Sequence, residues 1–396
     1  MKALFRADAS DILGGGQVMR CLAIADRLSA AGWECVFAVN RQAENIIKRL
    51  NEYTLLKLPD EIVSQTGEAE FIGSQTGGDM NLAVVDHYKR DREFESGLRK
   101  FSERIMVMDD IHDRRHDCDF LLDQTHNRMN HQYEKLVNND CRLLLGTGFA
   151  LLRPEFLYGR AKSLAGRGSR KSIDRIFISF GATDFHDITS RALNAVERLD
   201  KETEIDIVLS GNAPHLGMVK EKIKTMRQRV NLYVDCEKVA EILAKADLAI
   251  GSPGITSWER CTLGVPALLV PWAENQKDNA AILDKCGAAW NLGWYTDVGE
   301  GVILEALEKF FDDIDKLNEM SAAAAAVCDG RGLVRVMMEI LPPESDKSGN
   351  AVSLRFATNR DCDKMFEWQQ HDSTRHYFKT SEKPTWSEHE NWFSEC

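Results

Sequence analysis

Short apolar runs alternate with amphipathic stretches through the first 150 residues of the chain. Val, Ile, Leu and Phe gather at Lys2–Ala7, Cys35–Asn40, Leu82–Asp86, Ile105–Asp109, Phe120–Asp123 and Arg142–Leu145. Runs of that length and makeup read as strands buried on both faces. Between them the apolar positions take helical spacing, most plainly over Val18–Ala31, where Val18, Leu22, Ala25 and Leu28 share one face. Strands alternating with helices imply a parallel sheet covered on both sides. The pattern pauses at "YGRAKSLAGRGSRKS" (Tyr158–Ser172), whose Gly, Ser and Arg content predicts a connector between domains. It restarts at "RIFISFGATD" (Arg175–Asp184) and gives strands at Ile205–Ser210, Leu232–Asp235, Leu248–Gly251 and Ala267–Pro271. The expected fold class is therefore α/β, with two open Rossmann-like units, residues 1–157 and 158–341, facing a cleft. "PPESDKSGN" (Pro342–Asn350) predicts a linker. Residues 351–396 then restart a strand-and-helix pattern that is short for a domain of its own.

Composition narrows the function classes. At 396 residues, 43% hydrophobic and 28% charged, the chain has material for two or three cores. A net charge of -12 builds no basic stripe for nucleic acid. No apolar run approaches the roughly 18 residues of a membrane span, and the start of the chain reads as a strand rather than a signal peptide. The ten cysteines are scattered, with no C-x-x-C pair and no histidine cluster at metal spacing. They predict buried free thiols and a reducing, cytoplasmic setting. No metal or cofactor is expected.

Candidate chemistry gathers where predicted strands end. "GGGQVMR" places Gly14, Gly15, Gly16 and Gln17 between the first strand and the first helix. Free backbone amides and the helix dipole meet a ligand in that context. Three glycines exceed the need of one tight turn, and they lack the G-x-G-x-x-G spacing of a dinucleotide site. "SFGATD" puts Gly181 and Asp184 at the matching place in the second half, where Asp184 serves equally well as a helix cap. The richest stretch is "GSPGITSWERCTLGVPALLVPWAENQKDNA" (Gly251–Ala280). Ser252, Gly254, Ile255 and Thr256 open a helix at a strand end, and Glu259 lies one turn in. A carboxylate there suits a ribose diol while the loop amides hold phosphates. Asn275 and Gln276 follow the next strand. Each feature alone reads as a cap or a surface charge; together, three consecutive strand-end loops favour a ligand site. "VVDHY" and "MDDIHD" set Asp86, His87, Tyr88, Asp109 and His112 along the first half's side of the cleft, where a lone histidine is more often structural. Arg153, in "GFALLRPEF", is placed to pair with a sugar substituent or a phosphate.

In chain order, "FRADAS", "GGGQVMRCLAIA", "VVDHY", "MDD", "LLRPEF", "SFGATD", "GSPGITSWERCTLGVP", "ENQ" and "DGRGLVRV" cover most of the first 340 or so residues. Together they resemble the UDP-2,4-diacetamido-2,4,6-trideoxy-β-L-altropyranose hydrolases of pseudaminic acid biosynthesis. That family is related in fold to the GT-B glycosyltransferases. The resemblance implies a GT-B-like fold whose second domain grips UDP through Gly181, the Gly251–Thr256 loop and Glu259. The first domain would hold the amino sugar near Asp8, Gly14–Gln17, Tyr88 and Arg153, with Arg20, Asp184, Asn275 and Gln276 completing the site. Water attacks the anomeric carbon with inversion, UDP leaves, and no metal is required. The implied partner is a small-molecule UDP-sugar, with neither nucleic acid nor membrane. At position 17 the chain departs from the family, whose members carry a histidine directly after the glycines as the general base for water. A carboxamide cannot take that proton. The expectation is a chain that binds substrate but hydrolyses it poorly, by roughly 10²–10⁴-fold. Gln17 then reads either as an inactivating replacement or as a natural variant, and the other motifs, all intact, favour the first.

The tail, "SLRFATNRDCDKMFEWQQHDSTRHYF" with "SEHENWF", resembles the opening of a GNAT-type N-acetyltransferase. In the same pathway such an enzyme acetylates the preceding UDP-sugar, so a fusion would couple consecutive steps. The segment lacks the R/Q-x-x-G-x-G/A loop for acetyl-CoA, and neither acetyl transfer nor that cofactor is expected from this chain. Two other readings remain for the whole: a GT-B glycosyltransferase using a UDP-sugar, and a non-catalytic UDP-sugar-binding module, which gains weight from Gln17.

Overall fold

The structure, a computed structural model, describes residues 1–10, 14–61, 64–345, 347–352, 355, 357–375 and 382–395. The apolar runs of the first half become β1 (Lys2–Ala7), β2 (Glu34–Val39), β4 (Leu82–Asp86), β5 (Ile105–Met108), β6 (Phe120–Asp123) and β7 (Arg142–Leu145). A further strand, β3 (Thr54–Lys57), escapes the sequence pattern because it is four residues long, sits at the sheet edge and is only half-buried. The seven strands are parallel, in the order β3-β2-β1-β4-β5-β6-β7. Ala3, Leu4 and Phe5 of β1 are at most 1% exposed, as a central strand covered on both faces requires.

The second half repeats this design with β8 (Arg175–Ser179), β9 (Glu204–Leu209), β10 (Val230–Val234), β11 (Leu248–Gly251), β12 (Ala267–Leu269) and β13 (Trp290–Asn291). The order is β10-β9-β8-β11-β12-β13, again parallel. In each sheet the chain starts near the middle, runs to one edge, and returns to the other side of its first strand. That reversal leaves a crevice at the strand carboxyl ends, between β1 and β4 in one sheet and between β8 and β11 in the other, where open α/β sheets bind ligands.

Tyr158–Ser172 is not the connector its composition suggests. A helix, Pro154–Leu164, runs through its first half with proline in the first turn. Arg160 donates to the carbonyls of Thr262, Cys328 and Ala325, Ser163 to that of Leu263, and Arg167 to those of Ala246 and Ala244. The arginines that resemble a solvated linker instead cap carbonyls of the second half, so the helix belongs to that half.

One compact unit spans Met1–Met337 and a second spans Met338–Cys396. Within the second, Glu344–Ser345 and Ala351–Val352 pair antiparallel, so part of the expected linker is a small hairpin. Helices follow at Cys362–Gln370, Asp372–Arg375 and Trp386–Glu395. His389 is buried there among Phe366, Trp386, Trp392 and Phe393, with its ring nitrogens on Gln369 Oε1 and the Cys362 carbonyl. The strand expected after the linker falls on Ser353, Leu354 and Phe356, outside the described residues. No described helix is long and apolar enough to cross a membrane.

Candidate functional site

The carboxyl ends of the two sheets face each other. Asn275, after β12, donates from Nδ2 to Tyr88 Oη at 2.7 Å, just after β4. Asn212, after β9, donates to the Asn45 carbonyl at 2.6 Å, and Lys48 pairs with Asp235, after β10, at 2.8 Å. All these contacts join segments that follow strand carboxyl ends, so both crevices open into one cleft.

On the first wall, Ser10 and Gly14 exchange backbone hydrogen bonds at 3.3 and 2.8 Å. Gly14 has φ +71°, and a β-carbon there or at Gly16 would meet nothing within 4 Å, which leaves the turn open to a ligand. The helix Gly16–Ala30 that follows has no side-chain cap. Gln17 is 6% exposed, and its Nε2 has no hydrogen-bond partner among the described residues. A buried donor left so costs about 1–3 kcal/mol, a cost that a bound acceptor would relieve.

Asp8 is held rather than free. It accepts from Arg6, from the Asn40 amide at 2.9 Å and from His87 Nε2 at 3.0 Å. Burial raises its pKa, but His87 and Arg6 outweigh burial and hold the carboxyl well below the usual range. The Lys89 amide donates to His87 Nδ1 at 3.0 Å, so that nitrogen carries no proton and Nε2–H is the donor to Asp8. Burial keeps this imidazole neutral against the pull of Asp8. With both ring nitrogens engaged, His87 is not placed to accept a proton from substrate.

Arg20, expected to touch substrate, is turned inward. Its Nε and Nη2 pair with Asp86 at 2.8 and 2.7 Å, and its Nη1 with Asp110 at 2.8 and 2.7 Å. It ties the first helix to the ends of β4 and β5, and so fixes Gln17 and Tyr88 without reaching the cleft itself. Asp109 likewise faces the interior, toward Arg114, His116 and Tyr133, while His112 Nδ1 accepts from Arg128 at 2.9 Å. Of the five polar residues expected along this wall, Tyr88 is the one bonded across the cleft.

His116 yields a pH prediction. It is 1% exposed, with Nδ1 2.7 Å from Glu95. Burial lowers its pKa, but Asp109 and Glu95 outweigh burial and push it up to about 9. A folded-state pKa above the unfolded value of about 6.5 stabilises fully below that pH and loses the contribution as pH rises through about 9. Urea midpoints should therefore fall between pH 7 and pH 9.5, and the His116→Gln variant should show lower midpoints with a flatter profile over that range.

On the second wall, Gly181 has φ +94° and open space where a β-carbon would stand, so its backbone admits a close ligand. Asp184 takes the structural alternative. Its carboxylate accepts the amides of Ile188 and Thr189 at 3.0 and 2.8 Å and caps the helix Ile188–Arg198, 3% exposed. Ser252, Gly254, Ile255 and Thr256 form the turn after β11, with the Ser252 carbonyl accepting from Arg260 at 2.8 Å. The half-buried Glu259 takes no hydrogen bond among the described residues; burial raises its pKa and Arg153 opposes the rise. Gln276 accepts the Trp272 amide at 3.0 Å, and its Nε2 borders Gly254.

Arg153 is a second relocation. It donates to the Glu237 carbonyl at 3.0 Å and faces Glu259, on the nucleotide side expected for the second half rather than the sugar side. "DGRGLVRV" is structural too. Gly332 lets its helix lie against the backbone of Phe149 and Ala150, where a β-carbon would come within 2.3 Å, and Arg335 donates to the Gly148 carbonyl at 2.7 Å. Sequence reasoning missed Asp110 and Arg260. A charge on the buried face of the helix Thr256–Leu263, between Trp258 and Cys261, was the available signal for the second. Among the described residues the cysteines are free, and no group of three or more His, Cys, Asp or Glu side chains is placed to hold a metal.

Residues 175–331 match the family model of the glycosyltransferase family 28 C-terminal domain. The chain is 27% identical over 288 residues to the UDP-2,4-diacetamido-2,4,6-trideoxy-β-L-altropyranose hydrolase of Campylobacter jejuni, covering 72% of this chain and 97% of that one. A stretch of 72 residues is 40% identical to the UDP-N-acetylglucosamine–N-acetylmuramyl-(pentapeptide) pyrophosphoryl-undecaprenol N-acetylglucosamine transferase of Chromobacterium violaceum, 17% of this chain and 20% of that one. Among solved structures, MurG of Acinetobacter baumannii has a TM-score of 0.59 at 16% identity, covering 86% of this chain and 99% of that one. By fold, then, the chain is a GT-B-like protein, related in sequence both to a UDP-sugar hydrolase and to the family 28 glycosyltransferases.

Proposed function

We propose that the cleft binds a UDP-linked 2,4-diacetamido sugar and cleaves its anomeric C–O bond with water, slowly because Gln17 stands in the base position. The supporting observation is the opposition of two incomplete sites across one cleft. One wall has the glycine turn with a Gln17 Nε2 that has no hydrogen-bond partner among the described residues, and the other has the open Gly181 and Ser252–Thr256 loops beside Glu259, which takes no hydrogen bond among them. A UDP-sugar supplies a ribose diol and phosphates to the second and acetamido and hydroxyl oxygens to the first. Water oxygen bonds to the anomeric carbon, the C–O electron pair passes to the diphosphate, and the loop amides and helix ends stabilise the charge that develops there. The water proton passes to solvent, because the carboxamide of Gln17 cannot take it. Binding is thereby favoured over turnover. The named activity of the Campylobacter relative supports this reading, and the pathway proposed for it is the pseudaminic acid biosynthesis that the sequence motifs imply. On the same reading, residues 351–396 are acetyltransferase-like and couple this chain to the preceding step.

A second reading, transfer of the sugar to an acceptor, draws support from the family 28 match and the 72-residue stretch. Calorimetry with UDP, followed by NMR of the anomeric signals of the UDP-sugar, separates the readings. Hydrolysis gives UDP and free sugar without an acceptor, transfer needs an acceptor, and a binding module leaves the UDP-sugar intact. Absence of UDP binding would exclude all of them.

A further inference from the structure

Arg260 lies 2% exposed on the helix Thr256–Leu263, directly behind the turn that ends β11. Its Nη2 donates to the Ser252 carbonyl at 2.8 Å and to Ser257 Oγ at 3.0 Å, and its Nη1 to Thr256 Oγ1 at 3.2 Å. These acceptors are uncharged. Among the described residues no carboxylate forms an ion pair with the guanidinium; Glu259, beside it in the chain, acts on it only through space. Burial without a counter-ion disfavours the charged form and pulls its pKa down to about 10, still cationic at neutral pH. A β-carbon on Gly251 would stand 3.0 Å from Arg260 Nη1 and 2.3 Å from the Ser179 carbonyl. Ser179 ends β8 and Gly251 ends β11. The cation therefore sits at the point where the second sheet reverses direction, beneath both open loops.

We propose that Arg260 is a positioning residue whose buried charge is the counter-ion for a diphosphate held by the Gly181 and Ser252–Thr256 loops, so that the site selects nucleoside diphosphates over monophosphates and uncharged nucleosides. The inference rests on the nucleotide reading above and adds the residue that makes affinity depend on phosphate charge. Arg260 acts through the turn that it pins and through a field that water and salt screen little at this depth.

The test is calorimetric titration of the full chain with UDP, UMP and uridine, in wild type, Arg260→Gln and Arg260→Lys. Wild type should bind in the order UDP, UMP, uridine. Arg260→Gln should lose about 30-fold or more in UDP affinity, the low end of the range for removing one partner of a buried charge pair, while uridine affinity stays nearly unchanged. Arg260→Lys, which keeps the charge, should hold the ratio of UDP to uridine affinity within about tenfold of wild type. Loss of UDP and uridine by the same factor in Arg260→Gln would mean that the side chain only shapes the loop, and would overturn the proposal. Wild-type UDP affinity in Arg260→Gln would overturn it as well. If Arg260→Gln does not fold, Arg260→Met takes its place, and a fall of more than about tenfold in the ratio for Arg260→Lys overturns the proposal as well. A wild-type chain that binds none of the ligands would overturn the nucleotide reading, and this inference with it.

Discussion

Replacing Gln17 with histidine should raise the release of UDP from a UDP-2,4-diacetamido sugar by about 10²–10⁴-fold, the usual contribution of a positioned general base. The other groups near the glycine turn explain why nothing else fills the role. Asp8 is held as a strongly ionised carboxylate by Arg6 and His87, and so is a weak proton acceptor. His87 has both ring nitrogens engaged. Tyr88 has its hydroxyl pKa pushed up by burial, so it is protonated at neutral pH. A histidine at 17 would enter a site already 6% exposed at the mouth of an open turn. The rate gained should climb with pH as the imidazole loses its proton and then level off, a limb that the wild-type profile lacks. UDP affinity should change little, because the loops proposed to hold the nucleotide lie on the other wall. The check is single-turnover NMR on both proteins from pH 5 to pH 9. Equal rates would show that Gln17 does not limit the reaction.

Substituting Arg20 with methionine should cost about 3–5 kcal/mol of folding stability, the range for removing one partner from a buried ion pair. Asp86 is fully buried and depends on this guanidinium for both carboxylate oxygens. Even with Arg20 present, burial outweighs the pairing and leaves the pKa of Asp86 raised. Without Arg20 the carboxyl would rise further. The deficit relative to wild type should therefore shrink as pH falls from 7 toward 4.5, since a protonated Asp86 no longer buries an unpaired charge. Guanidinium denaturation of both proteins at the two pH values measures this difference. A deficit that is small at pH 7, or independent of pH, would show that Asp86 finds another partner.

The contrast between Arg20 and Arg260 explains how two arginines in strand-end motifs come to different ends. Arg20 meets two carboxylates and so serves the fold. Among the described residues Arg260 hydrogen-bonds only neutral oxygens, and on the proposal above its charge faces an anion. Residue type and local motif are the same kind of signal in both; the difference lies in the strand that arrives beside each.

Short-range spacing was enough to reveal the α/β alternation, the two halves and the strand-end glycine turns. Periodicity and turn chemistry act over a few residues, so they are written locally. The departure at Gln17 was likewise legible, because the glycines before it and the arginine after it define the position. What the sequence alone left open is which polar residues face the cleft. Arg20 pairs with residues 66 and 90 positions away, and Tyr88 with one 187 away. Such partners are set by the order of strands in the sheets and by the opposition of the two sheets. Tertiary structure therefore turned Arg20 and Asp184 from expected ligand contacts into supports, set Arg153 against the Glu237 carbonyl and Glu259, and placed Arg260 at the seam. A buried charge can be read only against its neighbours, because the free energy of burying it depends on whether a counter-charge lies within reach.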